Sequence, residues 1–202
     1  TLIVRGDNYI NQSLELYKSV LLFCEESIEP NCYRQGDIFR GIGLRYVFSG
    51  NYHDGEAYLQ KALKYYENNE NSGLYNSQDY EILETYYGLF QVYLAIRSFD
   101  KAVDMATRRL ELTKRQFGPT SSAYIGALND LAMPTCLVGK CEQGREFAIQ
   151  ALNLFKNSRA RPDLNYINIL SGLINIEKKL NNISGAEKYL SKLSELQEIP
   201  GL

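Results

Sequence analysis

Few residues in this 202-residue chain could do covalent or acid–base chemistry, and none stands in a pattern that catalysis requires. His53 is the only histidine, so a nucleophilic triad or a histidine-based metal site lacks its residues. Adjacent carboxylates such as Glu25 and Glu26 point to different sides of a helix. Gly41 and Gly43 lie inside a helical pattern with no strand before them, which favours close helix packing over a phosphate loop. We therefore expect no catalytic residue, no metal and no cofactor, and we predict that the protein is not an enzyme.

The four cysteines are Cys24, Cys32, Cys136 and Cys141. Cys136 and Cys141 are not spaced as a CxxC pair, and one histidine cannot complete a metal site with them. Reduced thiols in an intracellular compartment are the expectation, and we place the protein in the cytoplasm; a structural disulfide is the alternative.

Charge and hydropathy exclude two classes of partner. The net charge is −2 and the basic residues are dispersed; the densest basic stretch, residues 108–115, is interrupted by Glu111. A nucleic-acid binder normally carries a basic stripe, so no nucleic acid is expected. No apolar run approaches the ~20 residues that cross a bilayer, so no membrane insertion is expected. The chain begins at Thr1 without a methionine or a signal-peptide pattern, and we expect it to be part of a longer chain or of a complex.

Non-covalent binding is better served by the residue types present. Amide side chains can pair with a peptide backbone whatever its sequence, and Tyr and Arg are types that dominate binding energy at interfaces. The predicted partner-binding residues are Arg40, Tyr87, Gln91, Asn129, Met133 and Asn175. The alternative for each of them is an ordinary solvated surface.

An internal repeat predicts the elements that would position these side chains. One frame of apolar, small and turn residues recurs, and its small residues are Ser13, Gly55, Ala102, Gly144 and Ala186, at intervals of 42, 47, 42 and 42 residues. Each period is long enough for two amphipathic helices, which is the signature of an α-solenoid. A four-helix bundle is the alternative, but it needs a strict heptad seam.

The frame predicts nine helices, each uncertain by a few residues at its ends. They cover residues 8–29, 36–49, 52–68, 79–96, 99–116, 121–138, 141–157, 163–180 and 183–197. The extra residues of the 47-residue interval fall between Glu67 and Asp79, which predicts a protruding loop. Pro134 should kink its helix near Asp130 because it removes one hydrogen bond of the ladder.

We predict one domain over residues 1–202, made of a partial repeat and four complete helix pairs. The partial repeat covers 1–35, and the pairs cover about 36–78, 79–120, 121–162 and 163–202.

The sequence resembles the tetratricopeptide (TPR) repeats, and in particular those of the kinesin-light-chain type. The segment FGPTSSAYIGALNDLA has the Phe-Gly-Pro turn of that subtype, and its run Asn129-Asp130-Leu131-Ala132 differs at one residue from Asn-Asn-Leu-Ala. The resemblance implies an all-α, right-handed superhelix of antiparallel helix pairs. It also implies that the first helix of each pair lines a concave groove that holds an extended peptide or a partner's helix. The other three first helices depart from the pattern, so no particular cargo motif carries over.

A scaffold or adaptor that binds a partner protein in this groove is therefore the predicted function. The alternatives are a structural subunit buried in a large assembly and a regulatory protein that senses a peptide. The sequence does not choose among them.

Overall fold

A computed structural model describes residues 2–26, 34–69, 79–158 and 161–197. These residues form nine α-helices, and no strand occurs among them: α1 Leu2–Glu26, α2 Gln35–Phe48, α3 Tyr52–Asn69, α4 Asp79–Ala95, α5 Phe99–Phe117, α6 Ser122–Leu137, α7 Cys141–Asn157, α8 Leu164–Lys179 and α9 Ile183–Gln197. In this part of the chain, no helix has the length and apolar character that would let it cross a membrane. The all-helical prediction is confirmed.

Helices α2 to α9 begin and end within one residue of the predicted bounds, whereas α1 differs. α1 begins at Leu2 rather than at residue 8, because no proline interrupts the preceding residues. Its predicted end at residue 29 lies outside the described residues. The predicted loop lies mostly outside them too, since residues 70–78 are not described.

Helix α6 continues through Pro134 to Leu137. The kink near Asp130 stays a prediction.

All four turns between the helices of a pair use the same backbone motif. The residue five positions before the frame's small residue has a positive φ in each turn: Gly50 79°, Arg97 60°, Gly139 91° and Asn181 56°. The next residue's N–H then bonds back to a carbonyl in the last turn of the helix, as Lys140 does to Thr135 at 3.1 Å. This is the Schellman ending of a helix, which favours glycine or asparagine at the left-handed position. The turn signals of the sequence thus mark the ends of all four first helices.

Side-chain caps fix where two of the first helices begin. The Ser121 hydroxyl accepts the Tyr124 N–H at 3.2 Å, ahead of α6. The Asp163 carboxylate accepts the Tyr166 N–H at 3.0 Å, ahead of α8. Each cap satisfies one backbone donor that the first turn leaves without a partner.

The chain divides into two compact units, unit 1 (Thr1–Ser98) and unit 2 (Phe99–Leu202). In unit 1, α2 packs against α1, α3 and α4, and α3 packs against α4. In unit 2, α6 packs against α5, α7 and α8, while α8 packs against α7 and α9. The α2–α4 and α6–α8 contacts place the first helices of successive pairs side by side within each unit. That is the stacking expected of a solenoid, and the single domain over the whole chain stays a prediction.

Two of the frame's small residues, Gly55 and Gly144, lie where the two helices of a pair approach each other closely. Ala102 and Ala186 are buried. A Cβ atom added at Gly144 would overlap the Ala132 carbonyl oxygen of α6, and one at Gly55 would lie 2.9 Å from the Val47 Cγ2 of α2. Larger side chains would therefore push the two helices of a pair apart.

The two glycines inside α2 have the same role, as predicted. A Cβ at Gly43 would lie 2.7 Å from the Leu59 Cγ of α3, and one at Gly41 would meet the Tyr17 ring of α1 at 2.5 Å. Both α1 and α3 thus approach the backbone of α2 closely.

Cys136 and Cys141 form a disulfide that joins the last turn of α6 to the first residue of α7. Cys24 is disulfide-bonded as well. The expectation of reduced thiols is therefore wrong for these cysteines. The turn at Gly139, with its φ of 91°, reverses the chain between residues 136 and 141, and this reversal brings the two sulfur atoms together.

Candidate partner-binding surfaces

The six predicted binding residues occupy two positions of the repeat frame. The first position lies 15 residues before the small residue and is occupied by Arg40 of α2, Tyr87 of α4 and Asn129 of α6. The second position lies 11 residues before the small residue and is occupied by Gln91 of α4, Met133 of α6 and Asn175 of α8. Because the two positions are four residues apart, they share one helix face.

In unit 1, Arg40 is half-buried in a polar cluster shared by three helices. The Tyr66 hydroxyl of α3 donates to the Asp37 carboxylate of α2 at 2.9 Å, and burial raises the pKa of Tyr66. Burial also opposes the charge on Arg40. Tyr66, Asp37 and the Glu81 carboxylate of α4 outweigh that effect, so that the pKa of Arg40 is raised. The Arg40 guanidinium is therefore a positioned cation rather than a freely moving side chain.

Two buried atoms of this cluster have no hydrogen-bond partner within the described residues. They are Arg40 Nε and Glu81 Oε2. A polar atom buried in this way costs about 1–3 kcal/mol unless something pairs with it.

Helix α4 supplies the aromatic member of the predicted set. Tyr87 is 36% exposed, and its ring stacks on Phe90 with the centroids 6.0 Å apart. Gln91, one turn further along, is half-buried. Tyr87 therefore offers one ring face or edge to solvent while the other side is held.

In unit 2, Asn129 carries a buried acceptor without a partner. No described group hydrogen-bonds to Asn129 Oδ1, although a Cβ added at Gly172 of α8 would lie 3.5 Å from it. One turn earlier on α6, nothing lies within 4 Å of the position that a Cβ of Gly126 would take. The α6 surface around Asn129 thus combines an unused acceptor with open space.

The other two predicted residues of unit 2 differ in burial. Met133 is half-buried and packs against the hydrophobic core of the unit, whereas Asn175 is exposed on α8. Near the start of the two helices, Asn165 of α8 donates to the Ser122 hydroxyl of α6 at 3.4 Å. Met133 therefore contributes to the core, and Asn175 is the more accessible of the two.

One charged pair next to Asn129 was missed in the sequence. Asp130 forms an ion pair with Arg109 of α5, and both side chains are mostly buried. Burial raises the pKa of Asp130 to about 6, although the Arg109 charge opposes the shift. Asp130 is the residue at which the Asn-Asp-Leu-Ala run departs from the kinesin-light-chain pattern, and Arg109 belongs to the basic stretch of residues 108–115. Arg109 of that stretch is thus held in an ion pair within the protein.

In the part of the chain that the structure describes, no group of three or more His, Cys, Asp or Glu side chains is arranged to hold a metal ion.

Comparison with known proteins gives similarity of fold alone. No family model matches this chain, and no curated protein matches it by sequence. The TPR-like repeats of a kinesin-light-chain-type protein of Podosopora anserina align with 97% of this chain and 92% of their own, at 13% identity and a TM-score of 0.76. BtubC of P. vanneervenii aligns with 100% of this chain and 76% of its own, at 16% identity and a TM-score of 0.70. The apo form of RapI aligns with 91% and 62%, at 15% identity and a TM-score of 0.75.

These likenesses confirm the predicted fold class, an all-α solenoid of TPR-like helix pairs whose repeats resemble those of kinesin light chains. The identities are too low to transfer a partner or a binding residue, so the six predicted binding residues stay predictions.

Proposed function

We propose that this chain is a protein-interaction scaffold, not an enzyme, and that it holds a peptide or helix of a partner protein against the first helices of its pairs. The TPR-like fold supports a protein partner, because stacked helix pairs present extended surfaces made of equivalent positions. Within unit 1 these positions lie on the adjacent helices α2 and α4, and within unit 2 on α6 and α8.

The unpaired acceptor of Asn129 is the observation that carries the proposal. A buried carbonyl oxygen without a donor costs about 1–3 kcal/mol, and a backbone N–H of a bound peptide would remove that cost once the Asn129 side chain turns outward. The open space above Gly126, on the same face of α6, leaves room for an extended backbone. Exposed Asn175 and Tyr87 add an amide and an aromatic ring at the positions equivalent to Met133 and Asn129.

Site-specific photo-crosslinking tests the proposal. A photoreactive phenylalanine analogue is placed at Tyr87 or at Asn175, both of which are exposed, and the protein is irradiated in native extract. A matched analogue at Gln150, exposed on the second helix α7, serves as the control. We expect one protein to crosslink from both first-helix positions and not from the control position.

The crosslinked site on the partner completes this test. A short segment of the partner, mapped by mass spectrometry from each position separately, supports capture of a peptide or helix. Crosslinking that occurs only from position 150 contradicts the proposal.

A structural subunit is the second candidate, and one observation favours it. Helix α1 exposes large apolar side chains along its length: Tyr9 at 72%, Leu16 at 65% and Phe23 at 74%. Their spacing of seven residues places them on one side of the helix. Exposed apolar stripes of this kind mark contact surfaces. If this candidate is correct, the protein purifies from native extract only within a large complex, whatever residue stands at positions 87 and 175.

A further inference from the structure

Unit 1 carries a second surface, on the side of α2 that is turned away from α4. Helix α2 presents Leu44 towards α4, where its Cδ2 lies 2.9 Å from the position of a Cβ at Gly88. Successive side chains of an α-helix are rotated by about 100° around its axis. Phe39 and Tyr46 therefore lie on the side of α2 opposite to Leu44. We call the rings of Phe39, Tyr46 and Tyr58, with the ammonium groups of Lys18 and Lys61, the basic aromatic patch.

The three rings form a continuous half-buried floor. Tyr58 of α3 stacks on Tyr46 with the centroids 5.8 Å apart, and it meets Phe39 at 6.3 Å. All three rings pack against the core residues that α1 and α2 share. The floor is therefore fixed in place before anything binds.

Two lysines lie over this floor. Lys61 Nζ is 4.9 Å from the centroid of the Tyr58 ring and 5.8 Å from that of Phe39. Lys18 Nζ is 5.6 Å from the centroid of Tyr46, and it also pairs with the exposed Glu15 at 3.0 Å. Among the described residues, no carboxylate forms an ion pair with Lys61, and its ammonium group lies over ring faces.

The repeat frame places a second tyrosine and lysine at the positions of Tyr58 and Lys61. Tyr58 and Lys61 stand three and six residues after the small residue Gly55, and Tyr189 and Lys192 stand three and six after Ala186. In that later pair Lys192 again lies over the Tyr189 ring, at 6.0 Å.

The later pair has a carboxylate of its own. Glu195 acts electrostatically on Lys192 and opposes the lowering of its pKa, whereas the buried Glu177 pairs with Arg145. Unit 1 has the ring and the ammonium group of this arrangement, but Lys64 occupies the place of Glu195.

We propose that the basic aromatic patch of unit 1 binds an acidic segment of a partner protein, whose carboxylates pair with Lys61 and Lys18. The Lys61 ammonium gains a charge-assisted hydrogen bond, and the apolar parts of the segment cover the three rings. Charge complementarity selects this occupant, because the patch offers two ammonium groups and, within the described ranges, the exposed Glu15 is the carboxylate that pairs with one of them. This surface is separate from the first-helix faces of the proposed function, and either proposal can fail without the other.

The test uses variants of the full chain whose new side chains occur at equivalent frame positions in unit 2. Gln150 and Thr107 of unit 2 stand at the frame positions of Lys61 and Lys18. The substitutions Lys61→Gln and Lys18→Thr therefore give the patch side chains that the frame already accepts. Lys140→Gln removes the same charge from an exposed position of unit 2 and serves as the control.

Binding of a fluorescent poly-glutamate peptide is measured by anisotropy, with poly-glutamine as the uncharged comparison. We expect Lys61→Gln to weaken poly-glutamate binding about tenfold and the double variant to weaken it further, since each tenfold step is about 1.4 kcal/mol. Lys140→Gln should leave the affinity unchanged, poly-glutamine should not bind, and circular dichroism should show all variants folded.

Three results would overturn the proposal. The first is equal loss from Lys140→Gln and Lys61→Gln, which would mean that only the net charge matters. The second is poly-glutamine binding as tight as that of poly-glutamate. The third is tighter binding of single-stranded oligo(dT), which would assign the rings to base stacking instead.

Discussion

The pairs α2–α3 of unit 1 and α6–α7 of unit 2 share one frame but fill it with different chemistry. Their small residues Gly55 and Gly144, and the turns before them, are equivalent in sequence and in backbone conformation. Away from those positions the pairs diverge. Tyr46, half-buried in the basic aromatic patch, corresponds to Thr135, which is 3% exposed.

This comparison separates the residues that build the fold from those that are free to vary. The turn and the close helix contact accept only a small residue or a left-handed backbone, so they keep the frame recognisable. The positions between them only need to cover the core, and they can be aromatic, charged or aliphatic. Binding chemistry can therefore differ between the two units at equivalent positions.

The largest effect is expected from a substitution that disrupts the closest helix contact of that frame. Gly144→Ala should destabilise the protein by about 3 kcal/mol, because the new Cβ meets the backbone carbonyl of Ala132, which cannot move without displacing α6. Gly55→Ala should cost less, since its main neighbour is the Val47 side chain. Urea unfolding of both variants measures the difference.

Gly126→Ala is the matched control within α6. Nothing lies within 4 Å of its new Cβ, so the better helix propensity of alanine should stabilise the protein by up to about 1 kcal/mol. Equal losses from all three substitutions would mean that close packing does not distinguish these glycines.

The next effect concerns Asp130, whose equivalent in unit 1 is Gly41. The pKa of Asp130 is raised to about 6, so the native state holds this proton at a higher pH than the unfolded chain does. The group therefore stabilises the fold as the pH falls from about 7 to about 4, by up to about 3 kcal/mol, and this stability is lost as the pH rises through the native pKa.

Asp130→Asn removes this titration while Arg109 stays in place. The stability of the wild type relative to the variant should rise as the pH is lowered across that range, which urea midpoints at several pH values measure. A constant difference, or one that falls towards acid pH, would contradict the raised pKa.

The smallest effect is expected at Thr135, which occupies the frame position of Tyr46. Its hydroxyl is buried without a hydrogen-bond partner in the described part of the chain, so Thr135→Val should stabilise the protein by about 1 kcal/mol. Thr113 is also buried in unit 2, but its hydroxyl donates to the Arg109 carbonyl at 2.6 Å. Thr113→Val should lower the melting temperature. An equal rise in melting temperature for both variants would contradict the claim that Thr135 has an unpaired hydroxyl.

The helices and turns could be predicted from sequence because they depend on local rules. Gly50 and Gly139 mark turns by their own backbone preference, and the small-residue period fixes the register of the pairs. The pairing of Arg109 with Asp130 depends on the rotation of two helices about their axes, which a spacing of 21 residues does not encode.

The disulfide was only the alternative prediction and the patch was missed, for related reasons. Cys136 and Cys141 did not fit a familiar spacing, and only the reversal of the chain at Gly139 brings their sulfurs together. Lys61 contacts rings from two helices, and no linear pattern shows that.

The central claim is that the first helices hold the partner, and the affinity of one double variant tests it most directly. The partner segment identified by crosslinking is titrated against the wild type and against Tyr87→Ala with Asn129→Ala. We expect the double variant to lose about 1–4 kcal/mol of binding free energy, the range of interface anchors. Its melting temperature should change little, because Tyr87 is partly exposed and Asn129 Oδ1 has no partner to lose among the described residues. If the double variant binds as the wild type does while Gln150→Ala with Asn153→Ala on α7 abolishes binding, the partner is held by the second helices and the claim is wrong.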